Sequence, residues 1–282
     1  MHHSQRTGAS RLTRRPLILA LVLVLVASAA MAAVAGARNS KQDQGKIKVG
    51  LITKDVTNPF FVKMRQGATA QAKKLGAQLS YAAGKNSSDN ASQIAAIENM
   101  TTAGVKGILI TVADAKAENA AIRKARRRGV LVIALDSPTN PTTAGAALFS
   151  TNQLNRGVRI GRRARAATRG RTVTIAMLDE HAGSSVGKLR HDGFLKGFGI
   201  RNGNSQIACV GNGQGQTAPS QTAMENCIQK NSKIDVVYTI NEPSAVGAWN
   251  ALKNAGKTKA GTTIVSVDGG CAGVRNGKAG GM

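Results

Sequence analysis

Polar and aromatic side chains recur in this sequence directly after segments that read as short apolar strands. Lys54 and the run Asn58-Pro59-Phe60-Phe61 follow an apolar run at 47–52, and Asp136 follows another at 130–135. The full set of candidates is Lys54, Asn58, Phe60, Phe61, Asp136, Arg190, Asn241 and Asp268. Ligands of open parallel sheets bind outside the carboxyl ends of the strands, so these residues form the candidate binding site.

This set of side chains suits a neutral ligand with several hydroxyl groups. A sugar hydroxyl donates and accepts hydrogen bonds at once, so aspartate, asparagine and arginine can each bind two adjacent hydroxyls. The face of a phenylalanine ring packs against the C–H face of a sugar ring. The chain has only five Phe, and two of them are the adjacent Phe60 and Phe61. The combination therefore favours a sugar.

Each candidate also has a purely structural interpretation. Asn58 before a proline is typical of a helix start, and Phe61 falls on the apolar face of the helix that follows. Asp136 and Asp268 also suit turns or helix caps, and Arg190 could be one surface charge among many. Both interpretations can hold for the same residue.

The motifs do not support an enzyme. The sequence has no His-Glu-x-x-His and no Ser-x-x-Lys with its partner motifs. His181 is interpreted as a loop residue. Asp136 and Asp268 could in principle form the carboxylate pair of a glycosidase. Because arginine and asparagine lie at the same strand ends, we expect both aspartates to stay ionised and to act as hydrogen-bond acceptors. We therefore predict binding without catalysis, and neither a metal nor a cofactor.

The candidates fall on a regular alternation of strands and helices. Strands are predicted at 47–52, 77–82, 105–111, 130–135 and 146–150, then near 172–178, 206–210, 234–240 and 262–267. Helices are predicted at 61–75, 91–103 and 115–128, then near 154–169, 185–199, 217–230 and 244–255. Such alternation indicates parallel sheets made of βαβ units. Because the pattern restarts near 150, we predict an α/β fold with two Rossmann-like lobes, 46–150 and 151–267.

The N-terminus has the pattern of an export signal. Arg11, Arg14 and Arg15 precede an apolar run at 17–26, and Ala-x-Ala sites follow it. The run is shorter than the ~20 residues that usually span a membrane, although an uncleaved anchor is the alternative. We predict a signal peptide over 1–37 and a location in the periplasm or elsewhere outside the cytoplasm.

The chain is strongly basic. It carries 39 Lys+Arg against 14 Asp+Glu, a formal charge of +25, which is +21 without residues 1–37. Such a charge first suggests nucleic acid or another anionic surface, but an exported protein does not normally meet DNA. The basic runs at 123–128 and 156–171 fall on predicted helices, so we interpret them as solvated helix faces and expect no nucleic-acid partner.

The three cysteines allow one disulfide bond. In an oxidising compartment Cys209 and Cys227 could close a loop, which is worth roughly 3 kcal/mol in the chain-entropy model. Cys271 is then left over. Metal binding is the weaker alternative, because no Cys-x-x-Cys or histidine pair lies near these cysteines.

Several segments resemble the ribose-binding-protein family, the periplasmic sugar-binding components of bacterial ABC importers. They are 48–53, 58–64, the strand end at Asp136, 150–152, 238–242 and 264–270. The resemblance covers about 46–275 and implies two lobes joined by three hinge crossings, with a monosaccharide between them. Carried over by position, the first lobe would supply Asn58, Phe60, Phe61 and Asp136, and the second lobe or hinge Arg190, Asn241 and Asp268.

The resemblance also implies how such a protein works. Closure about the hinge buries the sugar, and the permease of the importer in the membrane recognises the closed form. A monomer is expected. The alternative is a sugar-sensing component for a receptor, or a repressor-type sugar-binding core without its DNA-binding domain. A repressor needs an N-terminal helix-turn-helix, where this chain has the predicted export signal.

The sequence departs from the family pattern at three places. The family has an arginine where this chain has Ser137, and 211–216 lacks the aromatic expected from the second lobe, so the pocket is expected to be more polar there. Cys209, Cys227 and the residues around 241–243 and 269–271 resemble a fructose-type subset. Family members continue beyond this chain's last residues. We therefore expect 268–282 to be an incomplete hinge crossing, about 40–60 residues to be missing, and binding to be weakened.

Overall fold

Strands and helices alternate along the described part of the chain, which in this computed structural model is residues 45–257 and 261–278. The strands are β1 (Lys48–Thr53), β2 (Gln78–Ala83), β3 (Gly107–Ile110), β4 (Leu131–Leu135), β5 (Ala147–Phe149), β6 (Ile175–Asp179), β7 (Ile207–Asn212), β8 (Val236–Thr239) and β9 (Thr263–Ser266). The helices are α1 (Pro59–Lys74), α2 (Asn90–Thr102), α3 (Asn119–Arg127), α4 (Gln153–Ala167), α5 (Ser185–Phe198), α6 (Thr217–Lys230), α7 (Glu242–Asn254) and α8 (Cys271–Lys278). The predicted export signal lies outside the described residues.

The strands form two parallel sheets, which confirms the predicted α/β fold. The first sheet has the order β2-β1-β3-β4-β5 and the second the order β7-β6-β8-β9. We call the residues around the first sheet the first lobe and those around the second sheet the second lobe. In the described residues, no helix combines the length and hydropathy that would let it cross a bilayer.

The central strands are apolar at nearly every position because helices cover both faces of each sheet. Along β6, Ile175 and Met177 pack into a core with Phe194 of α5, whereas Ala176 and Leu178 pack into a separate core on the opposite face. All of these side chains are buried. Full burial of a side chain such as leucine or phenylalanine stabilises a fold by roughly 1.5–3 kcal/mol, so these layers hold each sheet as a rigid platform.

Asparagine side chains fix the start of helices that follow strands. The Oδ1 atom of Asn58 accepts a hydrogen bond from the backbone N–H of Phe60 at 3.0 Å, at the start of α1. The Oδ1 atom of Asn241 accepts one from the N–H of Ser244 at 3.1 Å, at the start of α7. Such caps are typically worth about 1 kcal/mol. The cap interpretation of Asn58 is therefore confirmed.

The third helix begins later than the sequence predicts. The expected helix at 115–128 is shortened to Asn119–Arg127. The Oδ1 atom of Asp114 accepts the backbone N–H groups of Lys116 at 2.7 Å and Ala117 at 3.1 Å. A short acceptor side chain that binds the next backbone donors favours a turn over a helix. The prediction for this helix start was wrong for that reason.

The cysteines and the last described helix lie in the second lobe. Cys209 of β7 and Cys227 of α6 form a disulfide bond. Cys271 is a free, exposed thiol at the start of α8, a helix that the sequence analysis did not predict. The carboxylate of Glu242 accepts the N–H groups of Gly270 at 2.6 Å and Gly273 at 2.9 Å. An acidic group beside a helix N-terminus is favourable, which explains why this segment is helical.

Helices α4 and α5 pack against each other through glycines. A methyl group added to Gly193 would collide with the carbonyl oxygen of Leu154, and one added to Gly161 would collide with that of Phe194. The two backbones are therefore too close for any side chain at these positions. This contact fixes the angle of α5, which carries Arg190.

We expect the substitution Gly193→Val to destabilise the protein by about 3 kcal/mol or more, because the helices must separate to fit the side chain. Gly67 is the matched control, since it lies in α1 and a methyl group added there would meet no atom within 4 Å. Gly67→Ala should stabilise α1 by about 0.5–1 kcal/mol through helix propensity. Urea unfolding measures both changes. Equal effects at the two positions would contradict the close contact.

A buried carboxyl group makes stability depend on pH. Glu118 is fully buried, its Oε2 atom has no hydrogen-bond partner among the described residues, and burial raises its pKa from 4.5 to about 7. Folding is therefore favoured while the group is protonated and is disfavoured as pH rises from 4.5 through 7. Glu118→Gln should match the parent near pH 4.5 and exceed its unfolding free energy by about 3 kcal/mol at pH 8. Urea unfolding at the two pH values measures the difference, and a constant difference would refute it.

Candidate functional site

A small cavity of about 40 Å³ lies where the carboxyl ends of the two sheets face each other. Its lining comes from both lobes and includes all eight candidates from the sequence. The lining residues are Lys54, Asp55, Asn58, Phe60, Phe61, Ser87, Asp136, Glu180, Val186, Arg190, Gly215, Asn241 and Asp268. A water molecule needs roughly 10–15 Å³ on this scale, so this part of the cleft holds only a few waters. A cavity of about 690 Å³ adjoins it and shares Phe60, Asp136, Arg190 and Asp268.

The first lobe supplies an aromatic edge to the cavity. The rings of Phe60 and Phe61 lie edge to face with centroids 5.4 Å apart. Phe61 is buried at 5 % exposure, as the core face of α1 predicts, whereas Phe60 is 44 % exposed. Phe60 is thus the ring that is free to pack against a ligand, and Phe61 holds it in place.

Arg190 is held rigidly in the second lobe, and it is not a surface charge. Its guanidinium donates to Oε1 of Gln153 at 2.9 Å and to the carbonyl oxygen of Ile240 at 2.9 Å. It also lies 3.9 Å from the carboxylate of Asp268. Its side chain is only 9 % exposed. A planar donor fixed in this way can bind adjacent ligand oxygens without reorganisation.

The aspartates at two strand ends have strained backbones. Asp136 has φ 59° and Asp268 has φ 83°, a left-handed conformation that is uncommon outside glycine but that aspartate adopts more often than most residues. Gln153 donates to Oδ1 of Asp136 at 2.7 Å. Burial raises the pKa of Asp268, with Asp136 adding to the effect and Arg190 opposing it. Strain of this kind persists where the surroundings enforce it and often marks a ligand site.

Asn241 has one donor left for a ligand. Its Oδ1 atom caps α7, and its Nδ2 atom donates to the carbonyl oxygen of Gly215 at 3.0 Å. An amide nitrogen has two N–H groups, and the second N–H has no partner in the described structure. Asn241 therefore caps a helix and lines the cavity, as Asn58 does.

Basic and acidic side chains surround the cavity. Lys54 and Arg190 are cationic, and the carboxylates are Asp55, Asp136, Glu180 and Asp268. The excess of carboxylates makes the cavity unfavourable for phosphate or carboxylate groups. Hydroxyl groups, in contrast, can donate to the carboxylates and accept from the cations. The arrangement fits a neutral ligand with several hydroxyls.

Comparison with known proteins assigns the fold to a family. A model of the periplasmic binding protein domain matches residues 49–282. The chain belongs to the periplasmic binding protein family. This periplasmic binding protein is 28% identical over 248 residues to the ribose import binding protein RbsB of Escherichia coli, covering 87% of this chain and 79% of that protein. RbsB of Bacillus subtilis is 27% identical over 241 residues, covering 85% and 77%.

Solved structures share the fold of this periplasmic binding protein. An ABC transporter solute-binding protein of Agrobacterium vitis, with bound D-fucose, superimposes with a TM-score of 0.75 at 24% identity, covering 83% of this chain and 81% of that chain. One of Actinobacillus succinogenes, with bound D-allose, has a TM-score of 0.71 at 24% identity, and the match covers 84% of both chains.

The sequence analysis missed an ion pair that crosses the cavity of this periplasmic binding protein. The Nζ atom of Lys54 in the first lobe lies 3.4 Å from Oε2 of Glu180 in the second, and their side chains are 4 % and 6 % exposed. The Ser184 hydroxyl also donates to Glu180. Burial works to raise the pKa of Glu180, but Lys54, Ser184 and Arg190 together hold it below the ordinary value. The carboxyl group of Glu180 is therefore ionised at neutral pH.

Further contacts join the lobes beside this pair. The Ser87 hydroxyl donates to the carbonyl oxygen of Gln214 at 2.7 Å. The backbone N–H of Ala115 donates to the carbonyl oxygen of Gly183 at 2.9 Å. Nε2 of His181 lies 3.2 Å from the carbonyl oxygen of Ser87. His181, a loop residue as expected, thus contacts the opposite lobe.

One signal in the sequence pointed to Glu180. It directly follows the end of β6, just as Lys54 follows β1 and Asp136 follows β4. Because the carboxyl ends of parallel strands share one edge of a sheet, this position was enough to select Glu180, but the sequence analysis did not include it.

Proposed function

We propose that this periplasmic binding protein captures a neutral monosaccharide of the ribose class between its lobes and delivers it to an ABC importer. The observation that carries the proposal is the cavity wall. It combines a fixed arginine, strand-end aspartates, two asparagines and an exposed phenylalanine, and these groups come from both lobes. A ligand that touches both lobes stabilises the closed form, which is the form a permease can distinguish.

The curated relatives support both the ligand class and the route. The two RbsB proteins are named for ribose import, and a further relative of Escherichia coli, 25% identical over 227 residues, is named a D-allose-binding periplasmic protein. All are binding proteins, which supports a role without catalysis. The fructose-type subset stays a prediction, and so do the individual ligand contacts of the eight candidate residues.

The ligand is identified by calorimetry after a thermal-shift screen with D-ribose, D-allose, D-fructose and D-ribose 5-phosphate. We expect one neutral sugar to bind, and at 100 times its dissociation constant it should add about 2.7 kcal/mol to stability. The phosphorylated sugar should bind at least tenfold more weakly than ribose, because its charge meets four carboxylates. The proposal fails if no neutral sugar shifts the melting temperature, or if the phosphate ester binds best.

The cellular setting follows from the same proposal. A protein that delivers sugar to an importer acts outside the cytoplasm, as a monomer that reaches the permease by diffusion. Fractionation of cells, followed by detection of the protein and gel filtration of the released fraction, tests both statements. Recovery in the cytoplasm would instead favour the repressor-type alternative.

A further inference from the structure

The outer face of α4 carries a row of arginines that do not line the small cavity of the candidate site. Arg156, the first of them, borders a larger neighbouring cavity together with Asp136, Arg190 and Asp268. Five arginines lie in this helix and two more follow it, and all seven are exposed. They are Arg156, Arg159, Arg162, Arg163, Arg165, Arg169 and Arg171. We call this set the arginine face. It is the main concentration of the positive charge noted in the sequence.

The packing of α4 directs these side chains to solvent. Gly157, Gly161 and Ala164 form the buried side of the helix, where it contacts α5. The helix arginines at 156, 159, 162 and 163 recur at spacings of three and four residues away from this side, so their guanidinium groups lie along one surface. Arg165 lies closer to α5, beside Phe198. The glycine contact with α5 holds this surface rigid.

Nothing in the described structure neutralises the arginine face. The sequence has no Asp or Glu between Asp136 and Asp179. None of the ion pairs formed by the described residues includes an arginine of this face. Two members have local partners, since Arg165 lies 5.7 Å from the ring centre of Phe198 and Arg171 donates to the carbonyl oxygen of Thr168. The remaining guanidinium groups keep their hydrogen-bond donors for an external acceptor.

From this surface we infer that the arginine face binds the anionic phospholipid surface of a membrane. Guanidinium groups bind phosphate oxygens with paired hydrogen bonds, and each basic side chain near an anionic bilayer strengthens binding several-fold. Apart from Arg156, the face is in the described structure an open row of exposed guanidinium groups, an arrangement that does not select a single small anion. It matches a partner that presents many phosphates in a plane.

A nucleic acid fits this face less well. Single-stranded nucleic acids are bound by basic grooves with aromatic side chains on which bases stack, and the sequence from 150 to 193 contains no Phe, Tyr or Trp. The face is also poor in apolar side chains, which means that the protein would lie on a bilayer without inserting into it. Binding of this kind is reversible and weakens with salt. It would keep the protein near the membrane that holds the importer.

The test measures how much purified protein sediments with lipid vesicles at roughly physiological ionic strength. One set of vesicles is phosphatidylcholine alone, and the other also contains about 30 per cent of the anionic lipid phosphatidylglycerol. We expect binding only to the anionic vesicles, and loss of binding at high salt. The variant R159Q/R162Q/R163Q should bind the anionic vesicles roughly 100-fold more weakly than the parent protein does. The matched control is R123Q/R127Q/R128Q, which removes the same charge from exposed arginines in and directly after α3.

Equal loss in both triple variants would overturn the inference, because net charge alone would then explain binding. Binding of the parent protein to neutral vesicles, or no binding to either kind, would overturn it as well. A preference for single-stranded DNA over anionic vesicles at the same salt would assign the face to nucleic acid instead. Circular dichroism and sugar binding of each variant confirm that it is folded, since none of these arginines contacts the cavity groups used above. The sugar measurements also keep this test separate from the proposed function.

Discussion

Replacing Arg190 with methionine should weaken sugar binding by about 100- to 4,000-fold. The guanidinium joins Gln153 of α4, the carbonyl oxygen of Ile240 and the carboxylate of Asp268. Without it, the aspartates of the cavity face each other with no cation between them. Removing one partner from a buried ionic cluster typically costs about 3–5 kcal/mol, and each 1.4 kcal/mol is about tenfold in affinity. Calorimetry with the sugar that the screen identifies measures the loss.

Two further variants show whether the geometry of Arg190 or only its charge matters. Arg190→Lys keeps the charge but loses the planar fork, so it should recover only part of the affinity. Lys188→Met, on the same helix, removes a cation whose side chain is 73 % exposed, and it should leave binding unchanged. If Arg190→Met binds the sugar as the parent does, Arg190 is only a structural residue of the second lobe.

The positions at strand ends could be predicted from the sequence because topology alone brings them together. Parallel strands point their carboxyl ends to one edge of a sheet, so Asp136 and Asp268 had to lie at such an edge once the alternation of strands and helices was recognised. The same holds for Asn58 and Asn241, which begin the helices that follow. These local patterns need no knowledge of how the two lobes approach each other.

Features that depend on tertiary contacts could not be predicted in this way. Whether Arg190 is buried is decided by the glycine contact between α4 and α5, and a helical pattern does not show which glycines meet. The start of α3 was missed because one side chain, Asp114, competes with the helix for backbone donors. The partner of Lys54 was missed because Glu180 lies 126 residues away in sequence and in the other lobe.

The ion pair of Lys54 and Glu180 should also have a large effect on sugar binding, since its two charges lie on opposite lobes. When the lobes separate, water solvates both Lys54 and Glu180, and when they close, each charge depends on the other. Lys54→Met should therefore weaken sugar binding by about 100-fold, because the closed form then contains an unpaired buried carboxylate. Glu180→Gln should also weaken sugar binding, because the closed form then contains the buried ammonium group of Lys54 without its carboxylate partner.

A double-mutant cycle separates this coupling from the loss of a direct ligand contact. Lys54→Met combined with Glu180→Gln leaves no unpaired charge, so the double variant should bind at least tenfold better than Lys54→Met alone. Small-angle scattering of the ligand-free proteins should show an expansion in Lys54→Met that the double variant reverses. If the two single effects simply add, and scattering does not change, Lys54 acts on the sugar directly and the ion pair does not control closure. The scattering result does not depend on which sugar binds, so it can be obtained even before the ligand is known.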